Sequence, residues 1–232
     1  MRLRLHPGST LVEAMAVMML TSILAAVMAG ILMTQMRLAR LAAEQAASAE
    51  AVRTTSAILS AEVRRATFAD VSAWSSDSLS LRGFRGSAIP CGTSATGTLV
   101  RYTGDRMPDP AKDSVLVISQ SGETGSVLHA WNAATGYCVA HPGESVLEIR
   151  TSAPIPPKSA LLVFESGSYH LSTGALRYRI GAGGRQPLTI TVLRHPYSRF
   201  TGVTSRDVQF QIETSRIRSR HAVSFTPRGA HP

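Results

Sequence analysis

The sequence predicts an α+β fold, with a long N-terminal helix packed on a mostly antiparallel β-rich head. Three observations point there. No charge occurs for 23 residues, from Ala14 to Met36. No Gly or Pro interrupts 34–67, where Ala, Leu, Arg, Glu and Gln dominate. After Phe68, the first aromatic residue, apolar positions recur with a period of two, the strand signature.

The 232 residues suffice for a sizeable core, and 17% charged against 44% hydrophobic residues excludes a disordered chain. Two cysteines are too few for a disulfide-stapled miniprotein. The net charge of +9 is unevenly placed, being +2 over 1–70, −1 over 71–171 and +8 over 172–232. Of the 8 Met, 6 fall between Met15 and Met36.

The charge-free run reaches roughly 34 Å as a helix, enough to cross a hydrocarbon core of about 30 Å. Its polar residues are Thr21, Ser22, Thr34 and Gln35. Arg2 and Arg4 precede it and predict a cytoplasmic N-terminus, with Arg37 and Arg40 as opposing charges beyond it. A cleaved secretory signal would use Val27-Met28-Ala29, but the apolar run continues past Ala29. An uncleaved signal anchor is the second reading. Neither explains Glu13, a carboxylate at the start of the apolar stretch. Either it sits at headgroup level, where the helix dipole favours it, or it has a partner in the membrane.

A short basic leader ending in Gly8, then Ser9-Thr10-Leu11-Val12-Glu13 and an Ala/Met/Leu/Ile-rich run, resembles the class III signal of bacterial type IV pilins and type II secretion pseudopilins. The resemblance covers about 30 residues. It implies cleavage between Gly8 and Ser9 by prepilin peptidase and N-methylation of Ser9. It also implies that Glu13, fifth in the mature chain, pairs with the amino terminus of a neighbouring subunit. An unpaired carboxylate and an unpaired ammonium are both costly in lipid, so such a pair is physically sound. Ser9 departs from the family's usual Phe. No Cys stands just after the leader, which argues against a lipoprotein anchor.

The resemblance implies a lollipop-shaped chain: leader 1–8, membrane or filament-core helix 9–36, amphipathic helix 37–67 and β-rich head 68–232. The whole helix, 9–67, would measure roughly 88 Å. Leu38, Leu41, Ala49, Val52, Leu59 and Val63 form its expected buried stripe, with Glu50–Arg53 and Glu62–Arg65 pairs on its surface. Expected strands are 78–82, 98–103, 114–120, 126–131, 145–151, 160–165, 169–171, 175–180, 188–193, 208–213 and 216–226. Glu165-Ser166-Gly167-Ser168 reads as a hairpin turn, as do Gly104-Asp105, Gly122-Glu123, Ser172-Thr173-Gly174 and the loop Gly181-Ala182-Gly183-Gly184. The head's size is similar to that of large minor pseudopilins of the J type and PilW-type minor pilins.

Cys91 and Cys138 lie in turn-rich stretches of a head placed outside the cytoplasm, where a disulfide persists. The alternatives are two free thiols or a Cys138–His141 nucleophile, which lacks an oxyanion motif. The seven His show no HxH or HExxH spacing, so zinc has little support. Asp105, Asp109 and Asp113, four apart in a Pro-containing loop, form either a hard-cation cluster or a solvated acidic loop. Arg177 and Arg179, and Arg216, Arg218 and Arg220, each line one side of a strand. Such rows suit anions such as DNA or lipid phosphates, acidic faces of neighbouring subunits, or a solvated edge that blocks aggregation.

The expectation is a structural subunit of a pilus or secretion pseudopilus, not an enzyme, with no cofactor or metal. Its partners would be other pilin-type subunits, prepilin peptidase, the inner-membrane assembly platform and the membrane. The alternatives are a signal-anchored extracytoplasmic binding domain that never polymerises, and a tip subunit for DNA uptake that binds nucleic acid through the basic C-terminal strands.

Overall fold

The computed structural model describes residues 11–134, 138, 146–181 and 183–226. The chain divides into two compact units, Met1–Ala47 and Ser48–Pro232. A single helix, α1 (Leu11–Arg65), belongs to both.

In the first unit, α1 exposes nearly every side chain, including Leu20, Ile23, Leu24 and Ile31. Its hydroxyls are absorbed by its own backbone. Thr21 Oγ1 donates to Val17 O at 2.9 Å, Ser22 Oγ to Met19 O at 2.8 Å and Thr34 Oγ1 to Gly30 O at 2.9 Å. The surface therefore carries little open polarity. It is long enough and apolar enough to cross a membrane.

In the second unit, α1 buries Ser48, Ala51, Thr55, Leu59 and Val63. The spacing is helical, but the stripe differs from the expected one. Leu38, Leu41 and Ala49 are exposed and Val52 is half-buried. Small polar Ser48 and Thr55 occupy the close-packed positions because short side chains let the helix approach. The helix stops at Arg65, and Thr67 begins a tight turn. There the Asp70 carboxylate accepts from Thr67 N at 2.7 Å and Thr67 Oγ1 at 2.9 Å, satisfying donors that the turn leaves open.

Among the described residues twelve strands follow: β1 (Val71–Trp74), β2 (Ser78–Thr93), β3 (Thr98–Gly104), β4 (Asp113–Ser119), β5 (Gly122–Ala133), β6 (Leu147–Thr151), β7 (Ala160–Ser172), β8 (Ala175–Ile180), β9 (Gln186–Pro187), β10 (Arg199–Val203), β11 (Asp207–Glu213) and β12 (Arg218–Ser224). All pairings between them are antiparallel. Nine strands form one sheet in the order β1-β2-β3-β6-β5-β4-β7-β8-β9, and β10-β11-β12 form a second.

Because β2 also pairs with β7, the strands β2-β3-β6-β5-β4-β7 close on themselves as a six-stranded barrel. Every barrel strand sends a side chain into one core: Ala88, Val100, Val115, Val117, Leu128, Ile149, Leu161 and Val163. Closure removes exposed edges.

The two longest strands serve two layers. Beyond the barrel, Leu79 and Leu81 of β2 and Tyr169 and Leu171 of β7 join Leu176 of β8. Together they pack on α1 and on Phe200, Val208, Phe210, Ile212 and Val223 of the second sheet.

The expected hairpin at 165–168 is a continuous strand. Gly167 makes no turn because Tyr178 lies over it. A Cβ there would collide with the Tyr178 ring, and Gly167 pairs regularly with Leu81 and Ile180. The turn after β7 does form, with Thr173 and Gly174 at φ 49° and 78°. The expected strand 188–193 does not form: the short β9 at Gln186–Pro187 precedes it, and within it only Leu193 makes an isolated bridge, to Thr214.

Candidate functional site

Glu13 lies exposed in the first turn of α1, and no other charge occurs between it and Arg37. A carboxylate in that turn is favoured by the helix dipole. Beyond it, Met15, Met18, Met19, Met28, Met33 and Met36 are all more than half exposed. Unbranched Met side chains adapt to varied apolar partners. This surface can enter lipid or pack against other apolar helices. Gly8 and Ser9, the expected cleavage and methylation positions, lie outside the described residues, as does His141.

Cys91 and Cys138 are disulfide-bonded, with Cα atoms 5.3 Å apart. The bond packs against Leu99 and Val146 on the barrel. The free-thiol and nucleophile readings of this pair therefore fall away, because neither sulfur is available.

The two arginine rows do not form one anion-binding face. Arg177 and Arg179 alternate with Leu176 and Tyr178, and Arg218 and Arg220 alternate with Ser219, His221 and Val223. Leu176 and Val223 point into the same core, so the two rows point away from it on opposite sides. Arg216 precedes β12 and is exposed. Part of the second row is neutralised. Arg218 Nε donates to Glu213 at 2.5 Å, and Arg194 pairs with Glu213 at 3.5 Å. The Arg218 hydrogen bond holds the Glu213 carboxyl below its usual range. His221 stacks on Phe210 with ring centroids 5.0 Å apart.

The acidic loop is not an open cation cluster. Asp105 pairs with Arg65, Asp109 with Lys112 at 3.1 Å, and Asp113 with Arg106 at 2.6 Å. Among the described residues, no group of three or more His, Cys, Asp or Glu is placed to hold a metal.

A buried chain of charges was not legible in the sequence. At a bulge in β2, between Phe84 and Gly86, the side chain of Arg85 turns inward. It meets Glu62 of α1 at 2.7 Å and Glu165 of β7 at 2.6 Å. Glu165 continues to Arg106 at 3.1 Å, which reaches Asp113. Tyr178 donates to Glu165 at 2.8 Å. The expected Glu62–Arg65 pair is thereby replaced. Glu62 meets Arg85 because that face of the helix is buried, whereas the Glu50–Arg53 pair forms at 2.7 Å on the exposed side. Gly83 leaves room for the cluster, since a Cβ there would lie 2.7 Å from Arg85 Nη2 and 3.2 Å from Glu62 Oε2. Burial alone pushes the Glu165 carboxyl up, but Tyr178, Arg85 and Arg106 together bring it below the ordinary value. Burial and Glu165 push the Tyr178 phenol up.

A groove of about 730 Å³ lies against the outer barrel wall, floored by Phe84, Ile118 and Leu162 and rimmed by Arg64, Arg65 and Asp105.

No protein-family model, curated protein or solved structure matches the chain.

Proposed function

We propose that the chain is a minor pilin or minor pseudopilin, a structural subunit of a type IV pilus or a type II secretion pseudopilus. Prepilin peptidase trims it after Gly8, and it acts in assembly or at the filament tip. The observation that carries this reading is the exposed apolar part of α1, charge-free from Ala14 to Met36 and led by Glu13. An apolar helix serves first as a membrane anchor and then, lifted from lipid, as the packing surface of a filament core. Both environments reward burial of the same side chains, at roughly 25 cal/mol per Å².

In this reading the N-terminus is cytoplasmic, and the head lies on the far side of the inner membrane, where the Cys91–Cys138 disulfide persists. Glu13 meets the mature amino terminus of a neighbouring subunit and sets axial register. The assembly platform and the other subunits are the partners.

The test is Glu13→Ala. Insertion should be intact, because removing a charge favours entry into lipid, while assembly fails. Membrane fractionation reads the first, and piliation or secretion the second. Normal assembly by the variant would contradict the register role. A signal-anchored domain that never polymerises predicts no consequence of the change.

A further inference from the structure

Among the described residues, seven buried side-chain polar atoms have no hydrogen-bond partner. Four of them share one face of β7 and β8: His170 Nδ1, Ser172 Oγ, Arg177 Nε and Arg179 Nε. The register groups them, since His170 stands directly opposite Arg177, and Ser168 opposite Arg179. Leu171, Leu176, Tyr169 and Tyr178 take the other face and fill the core.

His170 and Ser168 are each only 4% exposed. Ser168 Oγ lies 2.9 Å from His170 Nε2. With the hydroxyl donating, Nδ1 carries the ring hydrogen and has no acceptor. Arg177 and Arg179 are half-buried and make no ion pair among the described residues. Arg185, just beyond β8, lies close enough to act on both His170 and Asp77. The Asp77 carboxylate accepts from Ser75 Oγ at 2.6 Å.

Buried donors without acceptors are costly, and native proteins rarely leave several in one place. All four atoms here can donate, and the charges of Arg179 and Arg185 that act on His170 are opposed there by the single carboxylate of Asp77. We propose that this face of β7 and β8 is an oxyanion site that takes a phosphate group. A phosphate offers enough acceptor positions for two guanidinium groups, an imidazole and a hydroxyl together, and arginine's fork matches its geometry. A carboxylate offers only two oxygens. The inference stands independently of filament assembly.

The test uses the full chain in detergent, titrated with inorganic phosphate against chloride at matched ionic strength. Phosphate should shift the His170 imidazole resonances and raise the melting temperature, with chloride inert. Arg177→Gln with Arg179→Gln should weaken binding at least about tenfold, the loss of roughly one charge-assisted hydrogen bond. Arg218→Gln with Arg220→Gln, on the opposite side, should leave it unchanged. Arg177→Lys keeps the charge but removes Nε–H, and should bind more weakly while folding normally.

The chain in nanodiscs supplies the second arm. A His170 shift in phosphatidylglycerol, but not phosphatidylcholine, without a response to free phosphate assigns the group to a lipid headgroup. A response to free phosphate assigns a soluble anion. No His170 shift in either arm, or equal phosphate affinity in wild type and the Arg177/Arg179 variant, overturns the site.

Discussion

Arg85 stands where β2 bulges and is 13% exposed between two carboxylates that are also largely buried. Removing it would leave Glu62 without its cation and Glu165 with only Arg106 and Tyr178 to offset its charge. Breaking a buried ion pair from one side costs roughly 3–5 kcal/mol, so Arg85→Ala should lower the unfolding free energy by about that much in urea titrations of the solubilised chain. The pH dependence supplies a second reading. The Glu165 carboxyl is lowered in the folded chain from an ordinary value of 4.5. The unfolded chain therefore binds its proton more readily. Its stabilising contribution is complete above about pH 4.5 and is lost as the pH falls through the folded value. In Arg85→Ala, burial is left less opposed, the Glu165 carboxyl rises, and acid should destabilise the variant less steeply than the wild type. An unchanged acid slope would contradict the assigned role of Arg85.

Strand β7 shows what an element's sequence reveals and what it conceals. Alternation marked both of its halves, but Ser166-Gly167-Ser168 has the composition of a turn. Its straightness comes from β2 on one side and from β4 and β8 on the other, contacts made with residues far away in sequence. Gly167 is there for space beneath Tyr178. Gly167→Ala should therefore destabilise by about 1–3 kcal/mol, as overpacking does, where a strand glycine would otherwise gain from the change. Thermal melts of Gly167→Ala, Tyr178→Ala and the double variant should show strong coupling. Additive losses would mean that the close approach is unimportant. The helix was legible almost end to end, because its signal is local. β1 and β10, four and five residues long, lacked enough alternation to register. The charge chain was hidden for a different reason: Arg85 and Glu165 are 80 residues apart, and no spacing rule reaches across a closed barrel.

At the scale of the whole molecule, the chain joins surfaces of different chemistry. The first unit offers apolar side chains with one carboxylate at their start. The second is a closed barrel and a sandwich-like core, held by a disulfide and a buried ionic chain. The net charge of +9 says less than its placement, since the arginine rows face opposite ways and Glu213 offsets one of them. The central claim is that the apolar helix belongs to a processed, polymerising subunit. Its most direct test is the intact mass and N-terminal sequence of the protein extracted from membranes. The expected result is a chain that begins at Ser9 and carries an N-methyl group. A chain that retains Arg2 and Arg4, or one cut after Ala29 so that the apolar segment is lost, would contradict it.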